Sequence, residues 1–362
     1  MKNIYSFFIL LGLVLTVHAQ DTTKNQRVLY VVDNVAIIND PDQNDGSISQ
    51  DDVDELKVVT NKAKIEQLGY YDADKVILIT TKEYKKRPDD LKKIPTTKVM
   101  ERKDGCWYTK GDDKPYSGPF IDYFYNGKKQ GEGILKNGKV DGLRVTYNAN
   151  GNKSFFTNYT DGIKNGDSES YFPDGKLKQK GRFKDRLDDG LWVEYYSTGA
   201  IKRQVTFVNT KPQFDKSEEK FYALNDKAKE LMKGEDYKSA IRKLTEAIEI
   251  KADYSDTWFY RGTAKLDNLD FDGAIADFDK AIILEPLYME AFSNRAFARI
   301  RKYQFKNSRT LSNSNGVTIM AGKDHIDIPK EEKEKICSDL NNGNMLGDRK
   351  SMTVDAIKEF CQ

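Results

Sequence analysis

The sequence predicts a multidomain α+β protein: a small α/β module, then an antiparallel ribbon of β-hairpins, then an α-helical array. Residues 27–84 contain two continuous runs rich in β-branched residues, a pattern typical of buried strands. Within a predicted domain at 106–211, residues 116–211 repeat with a period of 24 residues, and the predicted domain at 217–362 carries a helical period of 34 residues. Fixed periods of this length are the signature of repeat architectures, so we expect two different repeat domains in one chain.

The first 19 residues have the features of a secretory signal peptide. Lys2 lies in a short basic start, an apolar run covers residues 7–17, and Val17-His18-Ala19 satisfies the small-residue rule for cleavage. The apolar run is too short for a spanning helix, and no cysteine follows Ala19 to carry a lipid anchor. We therefore expect an exported protein, periplasmic or secreted, with no membrane span after signal removal.

Residues 27–84 are predicted to fold as one small domain, and residues 85–105 to follow it as a linker. The domain's expected elements are strands at 28–32, 56–59 and 76–81 and a helix at 61–68. The linker prediction is based on a high content of charge and on punctuation by prolines.

Four short segments of this domain resemble the plug domain of TonB-dependent outer-membrane receptors. They are LYVVD at 29–33, LK at 56–57, LG at 68–69 and VILITTK at 76–82. The sequence departs from that family at Asn34, Leu68 and Lys75, which replace a glycine, a tyrosine and a glycine and affect the turns more than the strands. The resemblance implies the small α/β module but no receptor function. The module either contacts an outer-membrane partner or is a reused structural unit.

Four units of 24 residues make up the predicted ribbon. A glycine opens each unit, a tyrosine follows five residues later, and a turn comes next: Gly118, Gly142, Gly166 and Gly190; Tyr123, Tyr147, Tyr171 and Tyr195; Asn126-Gly127, Asn150-Gly151, Asp174-Gly175 and Thr198-Gly199. Alternate residues before the turn are apolar, as at Leu143, Val145 and Tyr147, which is the period of a half-buried strand. Each unit is therefore predicted to be one hairpin with a tight primed turn, and the four to form a meander.

These units resemble the MORN-repeat variant of bacterial YwqK-type proteins. The lead-in at residues 114–118, the recurring Tyr-x3-Gly and the later Asp-Gly carry the resemblance. The family implies interaction or membrane-associated roles and has no known catalytic residues to transfer.

The C-terminal part resembles a tetratricopeptide array. Small and apolar residues recur 34 residues apart at Ala240 and Ala274, Leu244 and Phe278, and Ala247 and Ala281; Trp258, Gly262 and Pro286 also fit the pattern. The units cover 221–254, 255–288 and a third from Met289, which an inserted loop at 303–330 interrupts. Its second helix resumes at Ile336, and a final helix near 350–360 is expected to cap the stack.

No residue pattern in the chain indicates catalysis, a metal or a cofactor. His325, the one histidine beyond the signal, lies in the inserted loop, and the three cysteines lack metal-ligand spacing. No phosphate loop or GxSxG motif occurs. With net charge +2, charge implies no nucleic-acid partner. We therefore predict a protein that is not an enzyme.

We predict an exported scaffold that mediates protein–protein interaction in the cell envelope, with an envelope or outer-membrane protein as partner. The tetratricopeptide resemblance implies that the first helix of each unit lines a concave face with Tyr222, Asn225, Phe259, Thr263, Asn294 and Phe297. A carboxylate-clamp pattern is not evident, so capture of a peptide C-terminus is not predicted. The two alternatives are a toxin-neutralising antitoxin, from the YwqK resemblance, and a glycan- or envelope-binding protein that uses the ribbon's tyrosines.

Two tertiary contacts are also predicted. Antiparallel packing of the last two helices would bring Cys337 and Cys361 together as a disulfide, leaving Cys106 free, and export to an oxidising compartment permits this bond. Phe214 and Phe221 are the apolar residues best placed to pack the first helix of the array against the end of the ribbon. At the other end of the ribbon, a strand near residues 107–108 is expected to cover the open edge.

Export gives a direct prediction: the mature protein from its native host begins at Gln20. Ala19 is the first small residue after the apolar run, so cleavage follows it. N-terminal sequencing measures this, and a mature chain that retains Met1 would contradict it.

Overall fold

The computed structural model describes residues 27–37, 47–306, 310–314, 317–320 and 327–361. The signal segment at 1–19 and His325 lie outside the described residues. The chain divides after Trp192 into two compact units, which are described separately below.

The α/β module is a four-stranded sheet with one helix. Its elements are β1 (Val28–Val32), β2 (Val35–Ile37), β3 (Val53–Val59), α1 (Lys62–Gln67) and β4 (Lys75–Thr81). The sheet order is β2-β1-β4-β3, and β1 runs parallel to β4. The predicted strands and helix are confirmed, and Asn61 caps the helix by accepting a hydrogen bond from the Lys64 amide.

The turn between β1 and β2 shows how the module tolerates Asn34. Asp33 and Asn34 both have positive φ, 49° and 69°, and these two residue types enter the left-handed region more readily than most. The Asp33 carboxylate also accepts hydrogen bonds from the Thr81 amide (2.8 Å) and hydroxyl (2.7 Å). The turn is therefore fixed to the end of β4 without a glycine.

The prediction of a plain linker at 85–105 is corrected by the structure. This segment begins within α2 (Lys82–Lys86) and contains α3 (Asp89–Lys92), a 3₁₀ turn (Thr97–Val99) and β5 (Glu101–Lys103), and β5 pairs with β6 (Cys106–Tyr108). Oδ1 of Asp122 accepts hydrogen bonds from the Thr96 hydroxyl and from the Thr97 amide and hydroxyl, all at 2.8 Å. Buried Met100 packs with Phe120 and Leu135. Charge and proline suit a surface segment, but these contacts bind it to the first hairpin.

The ribbon is the predicted antiparallel meander. Its strands are β7 (Gly118–Tyr123), β8 (Lys129–Lys136), β9 (Lys139–Val140), β10 (Gly142–Tyr147), β11 (Lys153–Thr160), β12 (Ile163–Tyr171), β13 (Leu177–Lys184), β14 (Leu187–Tyr195), β15 (Ile201–Val208) and β16 (Lys211–Gln213). Neighbours in sequence are neighbours in the sheet, except that β9 pairs only with β8. The register shifts by one residue at Tyr123, Tyr147 and Tyr171, so the repeated tyrosine marks a bulge.

The primed turns occur at a different place from the one predicted. At Asn126-Gly127 only the glycine has positive φ (81°), and Oδ1 of Asn126 accepts from the Lys128 amide. This is a turn with a left-handed glycine that forms a bulge. The primed turns are the ones that join successive units, as at Asn137-Gly138, where φ is 49° and 75°. In the turn at 126–127 the Asn126 side chain accepts a backbone hydrogen bond, which stabilises the turn without a positive φ at Asn126.

The edges of the ribbon are covered differently from the prediction. β6 pairs with β5 in a separate sheet, and Trp107 contacts the turn that joins the first two units, where its amide donates to the Gly138 carbonyl (2.8 Å). β7 is the edge strand, and the Ile121 amide within it donates to the Pro95 carbonyl (3.1 Å). At the other edge lies the short, exposed β16, and its Pro212 lacks the N–H that edge pairing needs.

The helical array consists of paired antiparallel helices. They are α4 (Lys216–Lys233), α5 (Tyr237–Ile250), α6 (Ser255–Asp267), α7 (Phe271–Leu284), α8 (Met289–Gln304), α9 (Lys330–Met345) and α10 (Ser351–Phe360). A Cβ atom at Gly262 would lie 2.8 Å from the Phe278 ring, so the glycine allows α6 to approach α7. Ala240, Leu244, Ala274 and Phe278 are completely buried, as the 34-residue period predicts.

The insertion into the third unit contains a hairpin. β17 (Thr310–Ser314) pairs with β18 (Val317–Met320) in a two-stranded sheet of its own, between α8 and α9. The absence of helical period in this segment therefore reflects strand as well as loop.

The primed turns give a stability prediction. The second residue of these turns is Gly138, Gly162, Arg186 and Thr210 in the four units, and all have positive φ (75°, 79°, 75° and 67°). A left-handed residue other than glycine costs about 1–2 kcal/mol, and the extra unfolded-state entropy of glycine offsets roughly 0.4–1 kcal/mol. We expect Thr210→Gly to raise the free energy of unfolding by about 0.5–1 kcal/mol.

The reciprocal control is Gly162→Thr, which should lower the free energy of unfolding by a similar amount. Denaturant unfolding followed by tryptophan fluorescence measures both variants. A lower midpoint for Thr210→Gly would contradict the assignment of strain to this turn.

Candidate functional site: the face of the helical array

The residues predicted to face a partner lie on α4, α6 and α8, the first helices of the three units. Tyr222 and Asn225 are on α4, Phe259 and Thr263 on α6, and Asn294 and Phe297 on α8. All are half-buried except Asn225, which is buried. The structure gives these six residues different surroundings.

Asn225 holds two helices together. Its side chain is 5% exposed, its amide donates to the Phe221 carbonyl (2.9 Å), and its oxygen accepts from the Thr257 hydroxyl (2.9 Å). Thr257 is itself completely buried on α6. A group this enclosed positions α4 against α6, and it offers little surface to a partner.

Tyr222 lies where the last strands of the ribbon meet the array. Its ring is 4.7 Å from the Phe214 ring and 5.1 Å from the Phe221 ring, and the Arg203 guanidinium stands 5.6 Å from its centre. Phe221 is 1% exposed and packs edge-on against Tyr254 at 5.3 Å. Phe214 and Phe221 thus both contact Tyr222 of α4, and Arg203 is the ribbon residue beside it. Direct packing of the two phenylalanines against the end of the ribbon stays a prediction.

The middle of the face is a connected row on α6 and α8. The Asn294 amide donates to the Thr263 hydroxyl (3.4 Å), and that hydroxyl donates to the Phe259 carbonyl (3.0 Å). The Phe259 ring is 4.9 Å from Tyr288 and 5.9 Å from Phe278. Burial raises the pKa of Tyr288 above its usual range. We call Phe259, Thr263 and Asn294 the central row.

Phe297 lies at the C-terminal end of the face, beside the disulfide. It packs against the cluster of Ala296, Ile336 and Leu340, which Cys361 also contacts. The structure joins Cys337 to Cys361, and their Cα atoms are 5.4 Å apart, inside the range that a disulfide needs. Cys106 is a free thiol.

A docking contact that sequence reasoning missed holds the fourth turn of the ribbon to the array. The Tyr196 hydroxyl donates to the Asp253 carbonyl (2.6 Å) and accepts from the Ser255 amide (2.9 Å). Next to it, the Ser197 amide (3.0 Å) and hydroxyl (2.5 Å) both donate to the Glu285 carboxylate. The turn thus contacts the loop before α6 and the loop after α7.

Lys202 adds a half-buried ion pair to this contact. Its ammonium lies 3.1 Å from Asp256 and 3.6 Å from Glu194. Burial lowers the pKa of Lys202, but the carboxylates of Asp256 and Glu194 raise it more, so the pKa lies above its usual value. Lys202 therefore stays charged at neutral pH, and the pair joins β15 to α6.

The signal for this contact was present in the repeat itself. At the position of Tyr196 the earlier units carry Phe124, Asn148 and Phe172, and at that of Ser197 they carry Tyr125, Ala149 and Pro173. Only the fourth unit combines two hydroxyls there. A departure from a repeat's own pattern marks a unit with a further role, although the pattern alone does not identify the contact.

Two buried ion pairs fix the helices beneath the face. Arg261 makes two hydrogen bonds to Asp277, both at 2.8 Å, and 34 residues later Arg295 makes the equivalent pair with Asp339. Burial raises the pKa of Asp339, and Arg295 partly offsets the effect. Both carboxylates are nearly inaccessible, at 3% exposure, so the pairs orient helices and are closed to a substrate.

Over the described ranges, no three His, Cys, Asp or Glu side chains cluster as a metal site would require. In the same ranges, none of the helices combines the length and apolarity needed to cross a bilayer. The chemistry of the face is therefore that of half-buried aromatic and amide groups, which suit contact with another chain.

Comparison with known families matches part of the ribbon. A profile of the family described as a MORN repeat variant matches residues 164–185 and 188–209. These two windows fall on the third and fourth units of the ribbon and share its 24-residue spacing, which confirms the MORN-type repeat there. The comparison with curated proteins finds no significant match.

Solved structures similar to the array are tetratricopeptide domains. The Arabidopsis OM64 TPR domain is 17% identical, covers 40% of this chain and 96% of that chain, and gives a TM-score of 0.31. The second TPR domain of human RPAP3, in complex with an HSP70 peptide, is 16% identical with coverages of 40% and 98% and a TM-score of 0.31. The yeast Sti1 TPR2B domain, in a complex with pHsp70, is 19% identical with coverages of 40% and 92% and a TM-score of 0.28.

The docking contact predicts the effect of Tyr196→Phe. Tyr196 is 2% exposed, so losing its hydroxyl leaves the Asp253 carbonyl and the Ser255 amide without their partner, at a cost of about 1–3 kcal/mol. We expect lower stability of the array and faster tryptic cleavage between residues 211 and 220. Limited proteolysis measures this, and Tyr195→Phe on the neighbouring position is the control. An unchanged cleavage rate would contradict the docking role.

The disulfide predicts a specific peptide pair. Mass spectrometry of the unreduced mature protein should find Cys337 linked to Cys361 and Cys106 alkylated. The bond closes a separation of 24 residues, and a loop of this size stabilises by about 3 kcal/mol. Cys361→Ser should therefore lower the melting temperature under oxidising conditions and leave it unchanged under reducing ones. Linkage through Cys106 would contradict the assignment.

Proposed function

We propose that this protein is an exported scaffold that binds a protein partner of the cell envelope through the face of its helical array. The single observation that carries the proposal is the central row. It presents an aromatic ring, a hydroxyl and an amide on two adjacent helices, in a repeat fold whose stacked helices form extended surfaces.

The rigidity of the face supports binding without a large ordering cost. Beneath the central row, the Arg261–Asp277 and Arg295–Asp339 pairs fix α6 to α7 and α8 to α9. A surface that is already ordered loses less conformational entropy on association. Asn225 and Tyr222 support this surface from α4, and the partner's contacts are assigned to Phe259, Thr263, Asn294 and Phe297.

The envelope location rests on the signal-like residues 1–19 and on the plug-like segments of 27–84. Export also ranks this function above that of a toxin-neutralising antitoxin, because such antitoxins act in the cytosol. A toxin gene next to this one would reverse the ranking.

The glycan-binding alternative depends on the ribbon's tyrosines, and their hydroxyls are already in use. The Tyr147 hydroxyl donates to Glu132 (2.5 Å), and the Tyr171 hydroxyl donates to Glu169. Burial first, and then the bonded carboxylate, raises the pKa of each tyrosine to about 12. The Tyr147 bond joins β10 to β8, and the Tyr171 bond lies within β12. Both hydroxyls are therefore engaged, which makes these tyrosines weaker candidates for binding a sugar.

A crosslinking pull-down from native envelopes, read by mass spectrometry, tests the proposal. The double variant Thr263→Ala/Asn294→Ala removes the polar atoms of the central row without changing the core. We expect this variant to recover at least fivefold less of the partner than the unaltered protein does. Ser338→Ala/Asn341→Ala makes a matched change at two exposed positions of α9 and should recover it fully.

Equal recovery by both double variants would overturn the assignment of the face. Binding to isolated peptidoglycan that is lost in Tyr147→Ala/Tyr171→Ala, with no protein recovered, would favour the glycan alternative instead.

A further inference from the structure

Two buried hydrogen-bond donors without partners lie together on the ribbon. Among the residues that the structure describes, three buried side-chain nitrogen atoms lack a hydrogen-bond partner: Nε of Arg144, Nδ2 of Asn148 and Nε of Arg299. The Arg299 atom has the Asp339 carboxylate 3.6 Å away. Folded proteins rarely leave buried donors unpaired, so the other two call for an acceptor.

Arg144 and Asn148 line the same open pocket. It lies on one face of the first two hairpins, has a volume of about 560 Å³, and is also lined by Lys98, Phe124 and Gly131. Gly131 in β8 pairs with Asp122 on one side and with Thr146 on the other. Because it has no side chain, the sheet leaves a hollow between those two residues.

The pocket results from departures from the ribbon's repeat. Aligned by the 24-residue period, three positions differ in kind from their counterparts: Gly131 against Phe155, Gln179 and Arg203; Arg144 against Phe120, Ser168 and Trp192; Asn148 against Phe124, Phe172 and Tyr196. At two of these positions the other units carry mostly aromatic side chains. In the pocket the chain instead carries the cation of Arg144, the amide of Asn148 and, at Gly131, no side chain.

The charges favour a singly charged anion. Lys98 and Arg144 contribute two positive charges to the lining, and Asp122 contributes one negative charge. Oδ1 of Asp122 already accepts three hydrogen bonds, from Thr96 and Thr97. The remaining positive charge matches one carboxylate, whose two oxygens can accept from both an arginine and an amide. Phe124 provides an apolar wall for the group that carries it.

We propose that this pocket binds a carboxylate, whose oxygens accept hydrogen bonds from Nε of Arg144 and Nδ2 of Asn148. The Arg144 guanidinium is held 5.9 Å from the Phe120 ring centre, so it is positioned before the ligand arrives. All residues of this site precede Trp192 and so belong to the first of the two compact units, and none belongs to the face of the array. Two sources share this chemistry: a small organic acid and an acidic side chain of a peptide.

Ligand-observed NMR titration of the full-length mature protein with propionate tests the site, with propionamide as the uncharged probe. We expect saturable binding of propionate and at least tenfold weaker binding of propionamide. Asn148→Asp replaces the donor by a carboxylate of the same shape, and Arg144→Met removes the donor but keeps the apolar stem. Each should weaken propionate binding at least tenfold.

The controls make the same chemical changes at exposed positions outside the pocket, Asn137→Asp and Arg182→Met, and should bind propionate normally. Because the Arg144 donor is unpaired in the free protein, Arg144→Met should also keep or raise the unfolding midpoint. An unchanged or higher unfolding midpoint would show that Arg144→Met loses propionate binding while the protein stays folded.

A second arm identifies the source of the carboxylate. The capped peptides Ac-Ala-Glu-Ala-NH2 and Ac-Ala-Gln-Ala-NH2 are titrated in the same way. Tighter binding of the glutamate peptide than of propionate assigns the site to an acidic side chain, and equal binding assigns it to a small acid. If neither carboxylate binds, or if binding persists in both pocket variants, water completes the donors and the proposal is overturned.

Discussion

Backbone pairing between consecutive hairpins is the constraint on which the ribbon depends. A single hairpin is marginally stable in water, and the strands between the edge strands β7 and β16 pair with a neighbour on each side, except that β9 pairs only with β8. The 24-residue period keeps the bulge at Tyr123, Tyr147 and Tyr171 in phase, so the first three units bend at the same place. The remaining side chains are then free to vary, and the specific features of the molecule arise there.

Close packing in both repeat domains pairs a glycine with an aromatic ring. A Cβ atom at Gly181 would lie 2.1 Å from the Trp192 ring, and one at Gly262 would lie 2.8 Å from Phe278. In the sheet the ring covers the gap left by the missing side chain, and in the array it fills the space between two helices. Both domains therefore obtain a packed interior from a short repeat, without a large central core.

The features with functional potential are breaks in these repeats. In the fourth unit Tyr196 and Ser197 place two adjacent hydroxyls that dock the turn on the array, while in the second unit Asn148 stands where the other units carry an aromatic residue and lines a pocket. A repeat that only had to fold would gain from uniformity. The exceptions lie where the chain has to meet something other than its own next unit.

The sequence by itself determined the three-part architecture, because hydrophobic period reports which side of a strand or helix is buried. It placed β1, α1 and β4, the meander, the helix pairs and the disulfide between Cys337 and Cys361. Only the tertiary structure decided that residues 85–105 pack on the first hairpin, that Asn225 is enclosed, and that Arg144 and Asn148 share a pocket. Those outcomes depend on contacts between residues far apart in the chain, and local periodicity carries no information about which distant groups will meet.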